Sequence, residues 1–144
     1  MGVQAIGHDK LNQLRHARFL EEGARLPEHM AAHGALMGPK FELVEKKLAE
    51  ELAEAGIATW TNPRGGYFVS FEGPAGTARR IVELAKNAGV TMTGAGATWP
   101  YGDDPADSNI RIAPSLPPLE ELDAAMDVFT CCVKLAALEQ LVEE

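Results

Sequence analysis

Apolar residues recur every three or four positions over two long stretches of this chain, the spacing of one helix face. In the first stretch, from Pro27 to about Ala55, the apolar positions are Met37, Phe41, Val44, Leu48 and Leu52. Pro39 lies inside it, and a proline removes an intrahelical hydrogen bond, so we expect a kink or split near Met37-Gly38. A more polar stretch, Asp9 to Glu22, predicts a marginal helix that ends at Gly23.

The second long stretch begins at Pro117 and Pro118, which favour a first helical turn. Its apolar positions are Leu119, Leu122, Met126, Phe129, Val133 and Ala136. Between the two long helices, shorter patterns predict strands at 57–60, 67–71, 90–93 and around Arg111, with a helix at 77–88. We therefore predict an α+β fold: a small, mostly antiparallel sheet with helices packed on one face.

Arg111 stands between two isoleucines in the β-like run Asn109-Ile110-Arg111-Ile112-Ala113-Pro114-Ser115. Arginine stays charged at any relevant pH, and its planar fork binds a carboxylate through two hydrogen bonds. In a half-buried strand it is therefore either one half of a structural salt bridge or a binding group for an anionic ligand.

Several segments carry a family resemblance by their order and spacing. They are the Gly65-Gly66-Tyr67-Phe68 strand entry, the Gly89-Val90 turn, the loop from Gly94 to Gly102 and the run from Asn109 to Ser115. In this order they resemble the C-terminal small domain of fold-type I aminotransferases that depend on pyridoxal phosphate, closest to the bacterial aspartate aminotransferase-like group related to the MocR regulators. The likeness extends from about His8 to the last helix.

The resemblance implies a domain organisation and a function. Residues 1–26 look like the end of a large domain and a linker, 27–144 like the small domain, and 27–55 like the helix between them. Arg111 matches the family's arginine for the substrate α-carboxylate. The family implies a dimeric transferase that uses pyridoxal 5'-phosphate to move an amino group between an amino acid, here expected to be aspartate, and a 2-oxo acid.

The lysines depart from that pattern. In the family the lysine that forms the Schiff base, the acidic partner of the pyridine nitrogen and the phosphate-binding residues all belong to the large domain. The six lysines here are Lys10, Lys40, Lys46, Lys47, Lys86 and Lys134. None has the Ser/Thr-rich context of a Schiff-base lysine, so we expect a C-terminal piece of a longer polypeptide that is inactive and binds no cofactor alone.

The loop from Gly94 to Ser108 is longer than ordinary connections, which favours a functional or interface role. It carries two aromatic residues, Trp99 and Tyr101, as possible substrate contacts. Packing under the loop is the alternative for both of them.

Composition narrows the classes of partner. The formal net charge of −8 disfavours nucleic acid and anionic membranes, and no apolar run approaches the length of a membrane span. The first ten residues lack a signal-peptide pattern, so we expect a cytoplasmic protein. Adjacent Cys131 and Cys132 exclude a disulfide framework. His29 and His33 have helical zinc spacing without a third ligand, and we expect no metal.

Two other functions remain open at this level. The same fold also suits a stand-alone module that binds a small carboxylate through Arg111 or merely mediates an interaction. A purely structural fragment is the third possibility; it would expose an apolar patch along residues 37–52 and self-associate.

Overall fold

The computed structural model of the chain describes residues 9–143. Within this range the residues form two compact units, 9–36 and 37–143. The part of the predicted 1–26 segment that precedes Asp9 lies outside the described residues. None of the helices formed by residues 9–143 combines the length and apolar character needed to cross a membrane.

The first unit is helical. Helix α1 spans Lys10–Phe19, and the Asp9 side chain accepts a hydrogen bond from the Asn12 amide at its start. The helix predicted to reach Glu22 ends earlier, because Glu21 and Glu22 have φ angles of 49° and 54°. Left-handed backbone of this kind cannot continue an α-helix, and the chain forms a short 3₁₀ turn instead.

Helix α2, Leu26–Leu52, begins in the first unit and ends in the second. It runs without interruption through Pro39, so the predicted split does not occur. A residue before proline normally avoids helical backbone because its Cβ meets the proline ring. Gly38 has no Cβ, which removes one of the contacts that disfavour helical backbone before a proline.

The second unit contains a three-stranded antiparallel sheet in the order β1-β2-β3, with β1 at Thr59–Trp60, β2 at Val69–Glu72 and β3 at Asn109–Ile112. Helices α3, Ala78–Asn87, and α4, Leu119–Glu143, complete the unit. The predicted α+β class, with helices packed on a small antiparallel sheet, is confirmed.

The core joins one face of the sheet to the three helices. It includes Val44, Leu48, Leu52, Val69, Phe71, Ile81, Ile110, Met126, Phe129 and Val133. The rings of Phe71 and Phe129 meet edge to face, with centroids 5.0 Å apart and an interplanar angle of 77°. The α2 side chains at 44, 48 and 52 are completely buried, so the exposed apolar patch expected along 37–52 for a structural fragment is absent.

The strand predicted at 90–93 does not form, and the strand predicted at 57–60 is reduced to two residues. The Val90 amide donates to the Ala85 carbonyl at the end of α3, over the left-handed turn of Gly89. Val90 and Met92 then pack against the core as irregular chain. The alternation of apolar residues at 90–93 therefore reflects burial in the core rather than pairing with a neighbouring strand.

Replacing Phe129 by alanine removes a completely enclosed ring and its partner for Phe71. We expect the free energy of unfolding to fall by about 3–5 kcal/mol, measured by urea denaturation. Leu116→Ala is the matched control, because Leu116 is 92% exposed and should change stability little. A loss below about 1 kcal/mol for Phe129→Ala would contradict the packing described here.

Candidate functional site

The pairing of β2 with β3 places Arg111 on the face of the sheet opposite the core. Phe71 pairs with Ile110 and Val69 with Ile112, and all four side chains are buried. Side chains alternate along a strand, so Arg111 and its cross-strand partner Ser70 lie on the other face, which we call the outer face. Both residues are half-buried.

The Arg111 guanidinium lies over an aromatic ring and has no carboxylate partner among residues 9–143. Its Cζ is 4.5 Å from the centroid of the Phe68 ring. Its Nε is buried and donates to no acceptor in this part of the chain. A buried donor without an acceptor costs free energy, so this nitrogen is suited to an acceptor from outside the described residues. Within that range, the structural salt bridge considered from the sequence is not formed.

A polar network occupies the outer face next to Arg111. The Asn109 side-chain amide donates to the Ser70 hydroxyl at 2.9 Å and to the Glu72 carboxylate. The Thr98 hydroxyl donates to the Asn109 side-chain oxygen. Asn109 therefore connects the loop that precedes β3 to strand β2, and every polar atom of its buried side chain is satisfied.

Asp104 organises the end of that loop. Its buried carboxylate accepts hydrogen bonds from the backbone amides of Ala106, Ser108 and Asn109, at 3.0, 2.9 and 2.8 Å. These bonds, with the one from the Asn109 amide as the largest cause, lower the pKa of Asp104 against the opposing effect of burial. The hydrogen bonds thus favour the charged carboxylate of Asp104, which in turn fixes the backbone at the start of β3.

The two loop aromatics lie on the surface. Trp99 is 45% exposed, and Tyr101 is fully exposed with a φ of 61°. The ring that contacts Arg111 within residues 9–143 is that of Phe68, not either of these. The loop turns back on itself from Gly96 to Gly102, and a Cβ at Gly96 would collide with the Gly102 carbonyl oxygen. The role of Trp99 and Tyr101 as substrate contacts stays a prediction.

The six lysine side chains are either engaged with oxygen acceptors or exposed. Lys40 donates to the Ser115 carbonyl. Lys46 pairs with the carboxylate of Glu50, Lys47 with those of Asp123 and Asp127, and Lys134 with that of Glu51. Lys10 and Lys86 are exposed on helices. A Schiff base needs an uncharged, available amine, and the four engaged lysines do not offer one.

His29 and His33 lie one turn apart on α2, with ring centroids 4.6 Å apart. Across residues 9–143, no group of three or more His, Cys, Asp or Glu side chains is placed to hold a metal ion. The His29 ring also meets the Phe19 ring edge to face, with centroids 5.4 Å apart, so His29 packs between two aromatic neighbours.

Sequence reasoning missed Phe68 and Asn109 as site residues. The sequence pattern predicts Phe68 inside a strand at 67–71, but β2 starts at Val69 and Phe68 is 48% exposed. The signal was present, because counting back by two from Ser70 assigns Phe68 to the outer face. The Asn109 network has no comparable signal, since its members come from three separate segments.

Comparison with known proteins gives a consistent result. The family profile described as aspartate amino-transferase matches residues 1–144. An aspartate aminotransferase of Corynebacterium glutamicum is 49% identical over 138 residues, which are 96% of this chain and 32% of that protein. The chain thus spans about one third of the length of the relative it matches.

Solved structures of two aminotransferases share the fold of this chain. The chain superimposes with a TM-score of 0.88 on the crystal structure of an aspartate transaminase from C. glutamicum, at 49% identity over 96% of this chain and 33% of the other. An α-aminoadipate aminotransferase from Thermus thermophilus, complexed with N-(5'-phosphopyridoxyl)-L-leucine, gives 0.74 at 18% identity, covering 95% and 34%. At that identity the likeness concerns the fold.

Replacing Asp104 by asparagine should destabilise the chain in a pH-dependent way. Because the folded-state pKa is lowered, the carboxylate contributes stability above its unfolded pKa of about 4 and loses it as the pH falls through the folded value. The difference in unfolding free energy from the wild type should therefore be largest near neutral pH and shrink as the pH falls below about 4. Urea unfolding at several pH values measures it.

The control is Asp103→Asn, since Asp103 is the exposed neighbour of Asp104. It should leave the unfolding curves nearly unchanged. A difference for Asp104→Asn that stays constant from neutral to acid pH would show that the charge of this carboxylate is not what holds the loop.

Proposed function

Because this chain belongs to the aspartate aminotransferase family, we propose that it is the small domain of a pyridoxal-phosphate-dependent aminotransferase and supplies the arginine that binds the substrate. In this proposal residues 27–144 form the small domain, 27–55 the helix between domains, and 1–26 the end of the large domain. The reaction transfers an amino group between an amino acid and a 2-oxo acid. Aspartate is the proposed donor, as in the name of the C. glutamicum relative.

Arg111 is the observation that carries this proposal. The guanidinium has a hydrogen-bonded strand beneath it, an aromatic ring against it and no carboxylate partner within residues 9–143. A substrate α-carboxylate matches its fork through two charge-assisted hydrogen bonds. Two parallel bonds fix the orientation of the substrate as well as its position, and orientation of this kind can contribute several kcal/mol to lowering the barrier.

Pyridoxal phosphate, when bound, supplies the electron sink that the reaction requires. In our proposal its lysine and phosphate contacts come from the large domain of the same polypeptide, in a cytoplasmic homodimer. The engaged or exposed lysines of this chain support that division. Arg111 alone can bind and orient a carboxylate, so we propose that the 144-residue chain is inactive by itself.

A stand-alone carboxylate-binding module is the second candidate, because the same unpaired Arg111 would serve it equally well. The two candidates differ in what the isolated chain binds. A module should bind aspartate or 2-oxoglutarate measurably without any cofactor. A separated aminotransferase domain should bind neither well, because most of the site is missing.

The experiment that tests the proposal is to sequence the gene upstream of the codon for residue 1 and to assay the purified chain. We expect an open frame that continues upstream and encodes a lysine in a Ser/Thr-rich loop, and no transamination by the chain with added pyridoxal phosphate. A stop codon and ribosome-binding site upstream would favour the module. Turnover by the 144-residue chain would overturn its proposed inactivity.

Arg111→Lys should weaken substrate use in the longer enzyme, because an ammonium group cannot reproduce the two-pronged contact of guanidinium. We expect kcat/KM for the amino donor to fall roughly 10- to 100-fold, the equivalent of one strong charged hydrogen bond. Arg64→Lys is the control, since Arg64 is exposed in the turn before β2. A change of less than about twofold at Arg111 would remove it from substrate binding.

A further inference from the structure

We propose that Phe68 is a positioning residue for Arg111: its ring holds the guanidinium on the outer face while leaving the N–H groups of the fork available to a carboxylate. The identity of the anion rests on the proposed function. The positioning of Arg111 by the ring does not, because it is a property of the chain without any ligand.

The strand pairing explains how Phe68 reaches the arginine. Ser70 lies directly opposite Arg111, and Phe68 precedes Ser70 by two residues. Residues two apart share a face, so Phe68 is the diagonal neighbour of Arg111. Diagonal neighbours are separated by about 7–8 Å at the backbone, which aromatic and long side chains can bridge. The 4.5 Å between Cζ and the ring centroid shows that these two side chains do so.

An aromatic ring and a carboxylate interact with an arginine in different ways. A carboxylate would accept two N–H groups of the fork and neutralise its charge. A ring attracts the cation through the negative potential of its face and accepts no conventional hydrogen bond. The buried and unpartnered Nε fits this, since a carboxylate partner within residues 9–143 would have provided an acceptor. Phe68 thus orders Arg111 without occupying the fork.

Tyr67 provides a matched comparison. It is adjacent in sequence, aromatic and exposed to a similar degree, 54% against 48% for Phe68. Tyr67 lies in the bend before β2, and within residues 9–143 the ring over the Arg111 guanidinium is that of Phe68. Shortening either side chain should cost a similar amount of stability, because both are about half exposed, so the two variants differ mainly in their relation to Arg111.

The test measures the order of the Arg111 side chain by ¹⁵N NMR relaxation of its Nε–H group in the purified chain. In the wild type we expect restricted motion, in contrast to exposed Arg64. In Phe68→Leu the Arg111 order parameter should fall below about 0.6, the range of flexible groups. Phe68→Tyr should keep it high, and Tyr67→Leu should leave it unchanged. An unchanged Arg111 in Phe68→Leu would overturn the proposal.

Titration with acetate tests the availability of the fork. The Arg111 Nε–H resonance should shift with acetate in the wild type, and Phe68→Leu should need about two- to fivefold more acetate for half the shift. No shift in the wild type would overturn the availability of the fork, but not the proposed function, since a separated aminotransferase domain is expected to bind carboxylates weakly. The order parameters would still decide whether Phe68 positions the arginine. Equal urea midpoints for all variants exclude a loss of folding as the cause.

Discussion

The antiparallel pairing of β2 with β3 is the constraint on which both the core and the site depend. The same ladder puts Phe71 and Ile110 against the helices and Ser70 and Arg111 on the outer face. A shift by one residue would exchange the two sets, because side chains alternate with a period of two. Arg111 would then lie unpaired in an apolar core, which is among the most unfavourable placements for a charged group. The hydrophobic residues of these strands therefore fix the direction of Arg111 as firmly as they fix the core.

The polar groups around the start of β3 extend this constraint beyond the ladder. Asp104 holds the amides at the end of the long loop, and Asn109 connects Thr98 to strand β2 through its side chain. The same loop also closes the start of α3, where the Ala78 amide donates to the Asp107 carbonyl at 2.8 Å. Strand, loop and helix are thus joined by buried hydrogen bonds at one end of the sheet, and such bonds restrict the backbone that carries Arg111.

The sequence predicted the helices and the fold class well, because apolar positions repeated over 25 or more residues outweigh local exceptions. It predicted less well wherever a short pattern had two structural explanations. The alternation at 90–93 reflects burial without pairing, and α2 continues through Pro39, where Gly38 presents no Cβ to the proline ring. Arg111 could be singled out from the sequence since a charge between isoleucines is conspicuous. Its partner Phe68 shares the alternation of Ser70, but its contact with Arg111 depends on the register between β2 and β3, and the Asn109 network depends on contacts between distant segments.

The acceptor role of Asp104 has a consequence for how the loop can change over evolutionary time. Its carboxylate binds backbone amides at positions 106, 108 and 109, and every amino acid except proline has such an amide. Side chains at 105 and 106 are exposed and take no part in these bonds. The side chains at 105 and 106 can therefore diverge in sequence, and acquire new chemistry, without loosening these three hydrogen bonds, as long as Asp104 remains to accept them.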